Sequence, residues 1–177
     1  MKNVEPVVRT LETLGISYAL IGGHAVALRG HPRMTLDYGL LTTDRRVLLP
    51  ESWGAIQATG ARVEARRGEA DDPLAGVTHI VLSDGTEVDV IVGRWKWEQG
   101  VIDRAEVLDV GGLAIPVPRT SDLILLKLSA GGAIGIQDVI VLLEVSDRET
   151  VVREVNERVN DLAPDAVEAW RALLDER

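Results

Sequence analysis

Cysteine and phenylalanine are both absent from this 177-residue chain. Without thiols there is no disulfide framework, no thiolate metal site and no cysteine nucleophile. Aromatic residues make up only 3%, so the core has to be built from Leu, Val, Ile and Ala. Basic residues are scarce: 19 Lys and Arg stand against 28 Asp and Glu, giving a formal net charge of −9. That balance excludes a general nucleic-acid binder, whose affinity comes from cations meeting phosphates. A local nucleotide site remains open, because a bound metal ion or a few basic groups can reverse the local field. No apolar run approaches the ~18 residues of a membrane helix, and the opening MKNVEPVVRTLE lacks an apolar signal core. The expected location is the cytoplasm. The hydrophobic content of 46% argues against disorder, and the length suits one domain or a domain with a small helical appendage.

What is present is clear periodicity. Val4, Val7, Val8, Leu11 and Leu14 recur at helical spacing before Gly15. An apolar strand at 18–21 runs into Gly22-Gly23, then a short helix to Leu28 that ends at Gly30, with Pro32 unable to continue it. Residues 35–42 read as the next strand, with Thr35, Asp37, Gly39 and Leu41 on one side and Leu36, Tyr38 and Leu40 on the other. A broken helix is expected over 44–58 and a strand over 62–65. An exposed polar loop should fill 66–76. The stretch 79–92 reads as a hairpin turning at Asp84-Gly85, with Asp89 in its second strand. A short helix over 95–103 and a second hairpin over 107–117 follow. From Pro118 the pattern becomes helical. Thr120 or Ser121 should cap a helix over 122–129, Gly131-Gly132 should break it, and helices are expected at 136–145, 150–159 (capped by Asp147) and 165–174 (opened by Pro164). This divides the chain into an α/β domain over 1–117 and a helical region over 118–177 packed on it.

Two features carry chemistry. A glycine pair at a strand-to-helix turn lets backbone N–H groups approach a phosphate, although such a turn also needs glycine for steric reasons. Carboxylates on neighbouring strands supply hard oxygen ligands for Mg²⁺, which neutralises a triphosphate and activates an attacking hydroxyl. An Asp-x-Asp pair on one strand plus an Asp from the next makes a clamp. Asp37 and Asp89 can fill two corners of one, and Gly39 leaves the third without a side chain.

In GGHAVALRGHPRMTLDYGLL and EVDVIVG the sequence resembles the DNA polymerase beta-like nucleotidyltransferase superfamily, most of all the small bacterial branch of minimal nucleotidyltransferases and abortive-infection toxins. There a Gly-Gly turn precedes Arg-x-Thr-x-Asp-x-Asp-Leu, matched here by Arg33, Thr35, Asp37, Gly39 and Leu40. Later helices carry Asp-Leu…Lys and Asp-Val, matched by Asp122, Leu123 and Lys127 and by Asp138 and Val139. The resemblance spans 4–145. It implies an α/β (α+β) nucleotidyltransferase fold, a mixed sheet flanked by helices with a C-terminal helical bundle. It also implies an activity: transfer of a nucleoside monophosphate from an NTP to a hydroxyl on a small molecule, a protein or an RNA end, with Mg²⁺ or Mn²⁺. Gly22, Gly23, Arg33, Thr35 and Lys127 would contact the nucleotide. Asp37 and Asp89 would be catalytic and metal-binding, with Asp89 activating the hydroxyl and Glu87 reaching in for the aspartate that Gly39 replaces.

The alternative is a catalytically inactive protein of the same fold that binds nucleotide or acts as a regulatory, toxin–antitoxin partner. Bland readings stand beside individual residues. Asp37 can cap or pair with Arg33, Lys127 can face solvent, and Asp138 can start a helix or pair with Lys127. His24, His31 and His79 lack metal-ligand spacing and read as structural, although His24 follows the glycines closely enough to touch substrate. Trp95 and Trp97 can stack on a base but more readily cover the edge of the core.

Overall fold

A computed structural model describes residues 4–32, 35 and 37–175. The chain forms two compact units, one of Met1–His24 with Met34–Val117, the other of Ala25–Arg33 with Pro118–Arg177.

The first unit is built on a five-stranded mixed sheet. Its strands are β1 (Ala19–Ile21), β2 (Asp37–Thr42), β3 (Arg62–Arg67), β4 (Gly76–Val81) and β5 (Glu87–Val92), in the order β1-β2-β5-β4-β3. Only the central β2–β5 pair is parallel. Strict alternation decides which face is buried: Tyr38 and Leu40, Val88 and Val90, and Thr78 and Ile80 all point to one side and are at most 2% exposed. The chain closes that side with helix α1 (Glu5–Thr13), two 3₁₀ turns at 45–48 and 50–53, and the short helix α3 (Gly54–Gln57). Trp53 is fully buried among them, and its indole Nε1 donates to Val47 O at 2.7 Å, so the one polar atom of the largest core side chain is satisfied. Thr78 Oγ1 donates to the same carbonyl. The opposite face of the sheet carries Asp37, Gly39, Glu87, Asp89 and His79. Helix α4 (Lys96–Asp103) and the ribbon β6 (Glu106–Asp109)–β7 (Ala114–Val117) complete the unit.

The second unit holds most of α2 (Gly22–Leu28) and the helices α5 (Thr120–Ala130), α6 (Gly132–Val145), α7 (Arg148–Asn156) and α8 (Pro164–Asp175). Its core is aliphatic around Trp170, whose Nε1 donates to Asn156 Oδ1 at 2.8 Å, and it also buries Ser121, Asp122 and Asp138. Among the described residues no helix is long and apolar enough to cross a membrane.

Most expected elements are found, with differences that have physical causes. The 44–58 segment is not one broken helix but two 3₁₀ turns and a single α turn, because Pro50 removes a donor in the middle. The 66–76 loop is shorter at both ends, since Arg66, Arg67 and Gly76 stay in the β3–β4 ladder. Neither Thr120 nor Ser121 caps α5; the helix starts two residues earlier, at Thr120 with Arg119 in the cap position, and the buried Ser121 hydroxyl donates to Glu154 Oε2 at 2.6 Å. Asp138 does not start a helix, because α6 already begins at Gly132. Trp95 does not cover the core edge: it is 53% exposed. Asp147 does cap α7, accepting from Thr150 N.

Candidate functional site

The glycine turn is shaped by two separate constraints. Gly22 has φ +75°, a conformation that suits glycine. Gly23 has no such φ, but a Cβ there would stand 2.9 Å from Thr35 Cβ. Thr35 therefore fits against the turn only if position 23 is bare. The same Thr35 donates its hydroxyl to Asp37 Oδ1 at 3.1 Å. His24, next along, donates Nδ1 to Asp37 O at 3.0 Å and stacks on Tyr38, with ring centroids 4.0 Å apart. Burial lowers the His24 pKa, more than its hydrogen bond to the Asp37 carbonyl raises it, so the ring stays neutral and holds the start of β2 against the turn. Asp37 is thus fixed at its carbonyl by His24, next to the turn, and at its carboxylate by Thr35, which packs against the turn.

The second carboxylate arrives through sheet register. In the parallel β2–β5 pair Asp37 stands opposite Glu87 and Gly39 opposite Asp89. Residues opposite in a ladder share a face, as do residues two apart on a strand. Asp37, Gly39, Glu87 and Asp89 therefore all lie on the open side of the sheet, next to Ile21, which faces Gly39 from β1. A Cβ at Gly39 would come to 3.1 Å from Ile21 Cγ1, so a side chain there needs Ile21 to give by a few tenths of an ångström.

His79 completes the row. It stands opposite Asp89 on the antiparallel side, and its Nδ1 donates to Asp89 Oδ1 at 2.7 Å. Along the chain His79 lacks ligand spacing and reads as structural; across the hairpin it meets a site carboxylate. The signal was present in the hairpin: counting outward from Asp84-Gly85, Leu82 meets Thr86, Val81 meets Glu87 and His79 meets Asp89.

Arg33 lies outside the described residues. Lys127 belongs to the second unit, where its Nζ pairs with Asp138 Oδ2 at 2.6 Å; the side chains are 16% and 4% exposed. Its charge is therefore matched within that unit.

A divalent cation is what carboxylates on adjacent strands are suited to hold. Among the described residues no group of three or more His, Asp or Glu side chains is arranged to hold a metal ion, and Asp89 shares one oxygen with His79. The donor set does not fit a two-ion clamp. It does fit one Mg²⁺ of the kind held by one or two carboxylates plus the phosphates of a substrate.

The fold as a whole has counterparts among solved structures. An antigenic nucleotidyltransferase-like protein from Paracoccidioides brasiliensis matches at TM-score 0.53 and 20% identity, over 96% of this chain and 90% of its own. ANT(2'')-Ia, solved in complex with adenylyl-2''-tobramycin, matches at TM-score 0.58 and 15% identity, over 85% and 91%. The lincosamide antibiotic adenylyltransferase LnuA, solved with lincomycin, matches at 0.52 and 13%, over 80% and 94%. This chain has the nucleotidyltransferase fold. No protein-family profile and no curated protein matches the sequence. The Gly22-Gly23 turn, Asp37 and Asp89 all belong to the first unit, with Gly39 opposite Asp89.

Proposed function

We propose that this chain binds a nucleoside triphosphate on the open face of its sheet and transfers the nucleoside monophosphate to a hydroxyl acceptor. The observation that carries this is the pair of carboxylates, Asp37 and Asp89, on one face of adjacent parallel strands beside the Gly22-Gly23 turn. The turn, with Thr35, receives the triphosphate. Asp37 and Asp89 would hold Mg²⁺ or Mn²⁺, which would neutralise the triphosphate charge. Asp89 accepts the proton of the attacking hydroxyl as its oxygen bonds to the α-phosphorus, and the bond to the β-phosphate oxygen breaks to release pyrophosphate. His79 orients Asp89 by holding one of its oxygens. Glu87, opposite Asp37, is the remaining carboxylate that can turn toward the site. The motif resemblance supports membership of the minimal, abortive-infection-like branch, with a small molecule, a protein or an RNA end as acceptor and a cognate protein as regulator. In the solved adenylyltransferases of this fold the named acceptors are antibiotics, which supports a small-molecule hydroxyl. The proposed domains are residues 1–117 for the nucleotide and 118–177 for the helical region with Lys127, in the cytoplasm.

A second reading is favoured by Gly39: a protein that binds the nucleotide and does no transfer. Incubation with each α-³²P-labelled NTP and Mg²⁺, following both pyrophosphate release and label on an added hydroxyl acceptor, separates the two. Release that Asp89→Asn abolishes supports transfer. Saturable NTP binding without release supports the second reading, and absence of both removes the nucleotide site.

A further inference from the structure

A second polar feature of the first unit lies at the other end of the same strands. Its cavity, of about 440 Å³, is lined by Arg45 and Arg46 from the first 3₁₀ turn, Arg67 at the end of β3, and Arg94 just after β5. Four guanidiniums on one cavity are unexpected in a chain of net charge −9.

The charges are not equally spent. Arg46 is neutralised by Asp44, with Nη2 at 2.6 Å from Oδ2. Arg94 is held differently: Nη1 donates to Ala70 O at 2.7 Å, and Nη2 donates to Glu69 O at 2.5 Å and to Leu74 O at 3.0 Å. Carbonyls satisfy donors without cancelling charge, so Arg94 is fixed in place and still carries its full positive charge; its buried Nε has no partner. Arg45 and Arg67 are exposed, and their side chains make no hydrogen bond or ion pair among the described residues. Three uncompensated guanidiniums thus face one lining carboxylate, Glu69, over a floor that includes Leu48, Leu49 and Ala75. A rigid central cation flanked by two free planar forks suits the oxygens of a phosphate group, which guanidinium recognises in a bidentate manner. The apolar floor leaves room for the body of a small ligand.

We propose that this cavity is a binding site for the phosphate group of a small ligand, separate from the nucleotide site. Val92 is three residues beyond Asp89 on β5, about 10 Å at strand rise, and Arg94 lies further on. The proposal does not depend on the nucleotidyltransferase reading.

The test is a titration of the ¹⁵N-labelled full chain with sodium phosphate, pyrophosphate and ribose 5-phosphate in 150 mM NaCl, followed by amide chemical shifts. Saturable shifts centred on Arg45, Gly68 and Arg94 are expected, with affinity at least tenfold lower in Arg45→Gln/Arg67→Gln; both residues are exposed, and an unchanged circular dichroism spectrum verifies the fold. Ribose 5-phosphate binding tighter than phosphate identifies a phosphorylated metabolite, and equal affinity identifies the free anion. The proposal is overturned if none of the three anions gives saturable shifts, if the shifts centre on Gly22 and Asp89 instead, or if the double variant binds within twofold of wild type.

Discussion

Gly39→Asp adds a carboxylate that the fold has room for only in part, and its effect can be worked from the register. Gly39 and Asp89 are opposite neighbours in the β2–β5 ladder, so two carboxylates there lie about 5 Å apart, the spacing of adjacent strands. At an effective dielectric near 20 that costs about 3 kcal/mol. The Asp89 side chain is 39% exposed, and solvent and salt reduce the net cost to about 1 kcal/mol. The displacement of Ile21 Cγ1 from its 3.1 Å approach adds to it. For a chain of this size 1 kcal/mol is roughly 2–4 °C in Tm. Metal reverses the sign. At ten times its dissociation constant Mg²⁺ returns about 1.4 kcal/mol. In thermal unfolding followed by fluorescence, Gly39→Asp should melt a few degrees below wild type in EDTA and recover with millimolar MgCl₂ or MnCl₂. Gly39→Asn, with the same bulk and no charge, should show neither the EDTA deficit nor the recovery beyond what Ile21 imposes. If metal stabilises neither variant, the site at Asp37 and Asp89 does not hold a cation; if it stabilises both equally, position 39 takes no part in holding it.

Three further outcomes follow from the same geometry. Asp138→Asn leaves the mostly buried Lys127 without its counter-charge and should lower the unfolding free energy by about 3–5 kcal/mol in urea titration, whereas Lys127→Met/Asp138→Leu should recover most of it. Glu98 is 4% exposed; burial holds its pKa above the ordinary carboxylate value, although the amides of Trp95 and Arg94 oppose this. A folded pKa above the unfolded one means stability that is full below the unfolded value and lost as pH rises through the folded one. The stability of Glu98→Gln relative to wild type should therefore improve between pH 4 and pH 8 in paired urea titrations. A flat difference would show that Glu98 has the same pKa in both states. Gly23→Ala meets Thr35, and the displaced hydroxyl should loosen Asp37, lowering affinity for NTP more than it lowers Tm.

Much of the site was legible because strand faces follow from parity. Asp37 and Asp89, each set among apolar neighbours, had to point away from the core, and the Asp-Gly turn fixed the β4–β5 register. His79 escaped because its partner is set across the hairpin, not along the chain, although that register was countable. The Arg94 latch was illegible for a different reason: its carbonyl partners belong to 69–74, a segment with no periodicity to place it. Lys127 shows the limit of carrying a role over by motif. The motif implies a phosphate contact, whereas the other reading of Asp138, as a partner of Lys127, is what the packing of α5 on α6 realises at 2.6 Å. The 44–58 segment has the periodicity of a helix but forms only single turns, because Pro50 and Gly54 interrupt it.

The most direct test of the two-carboxylate site is calorimetric titration of MgATP, and of each other magnesium NTP, into the wild-type chain and into Asp37→Asn/Asp89→Asn. Saturable binding of at least one nucleotide to wild type, weakened tenfold or more in the double variant, is the predicted result. Equal affinity in the two proteins, or no binding by wild type, would contradict it.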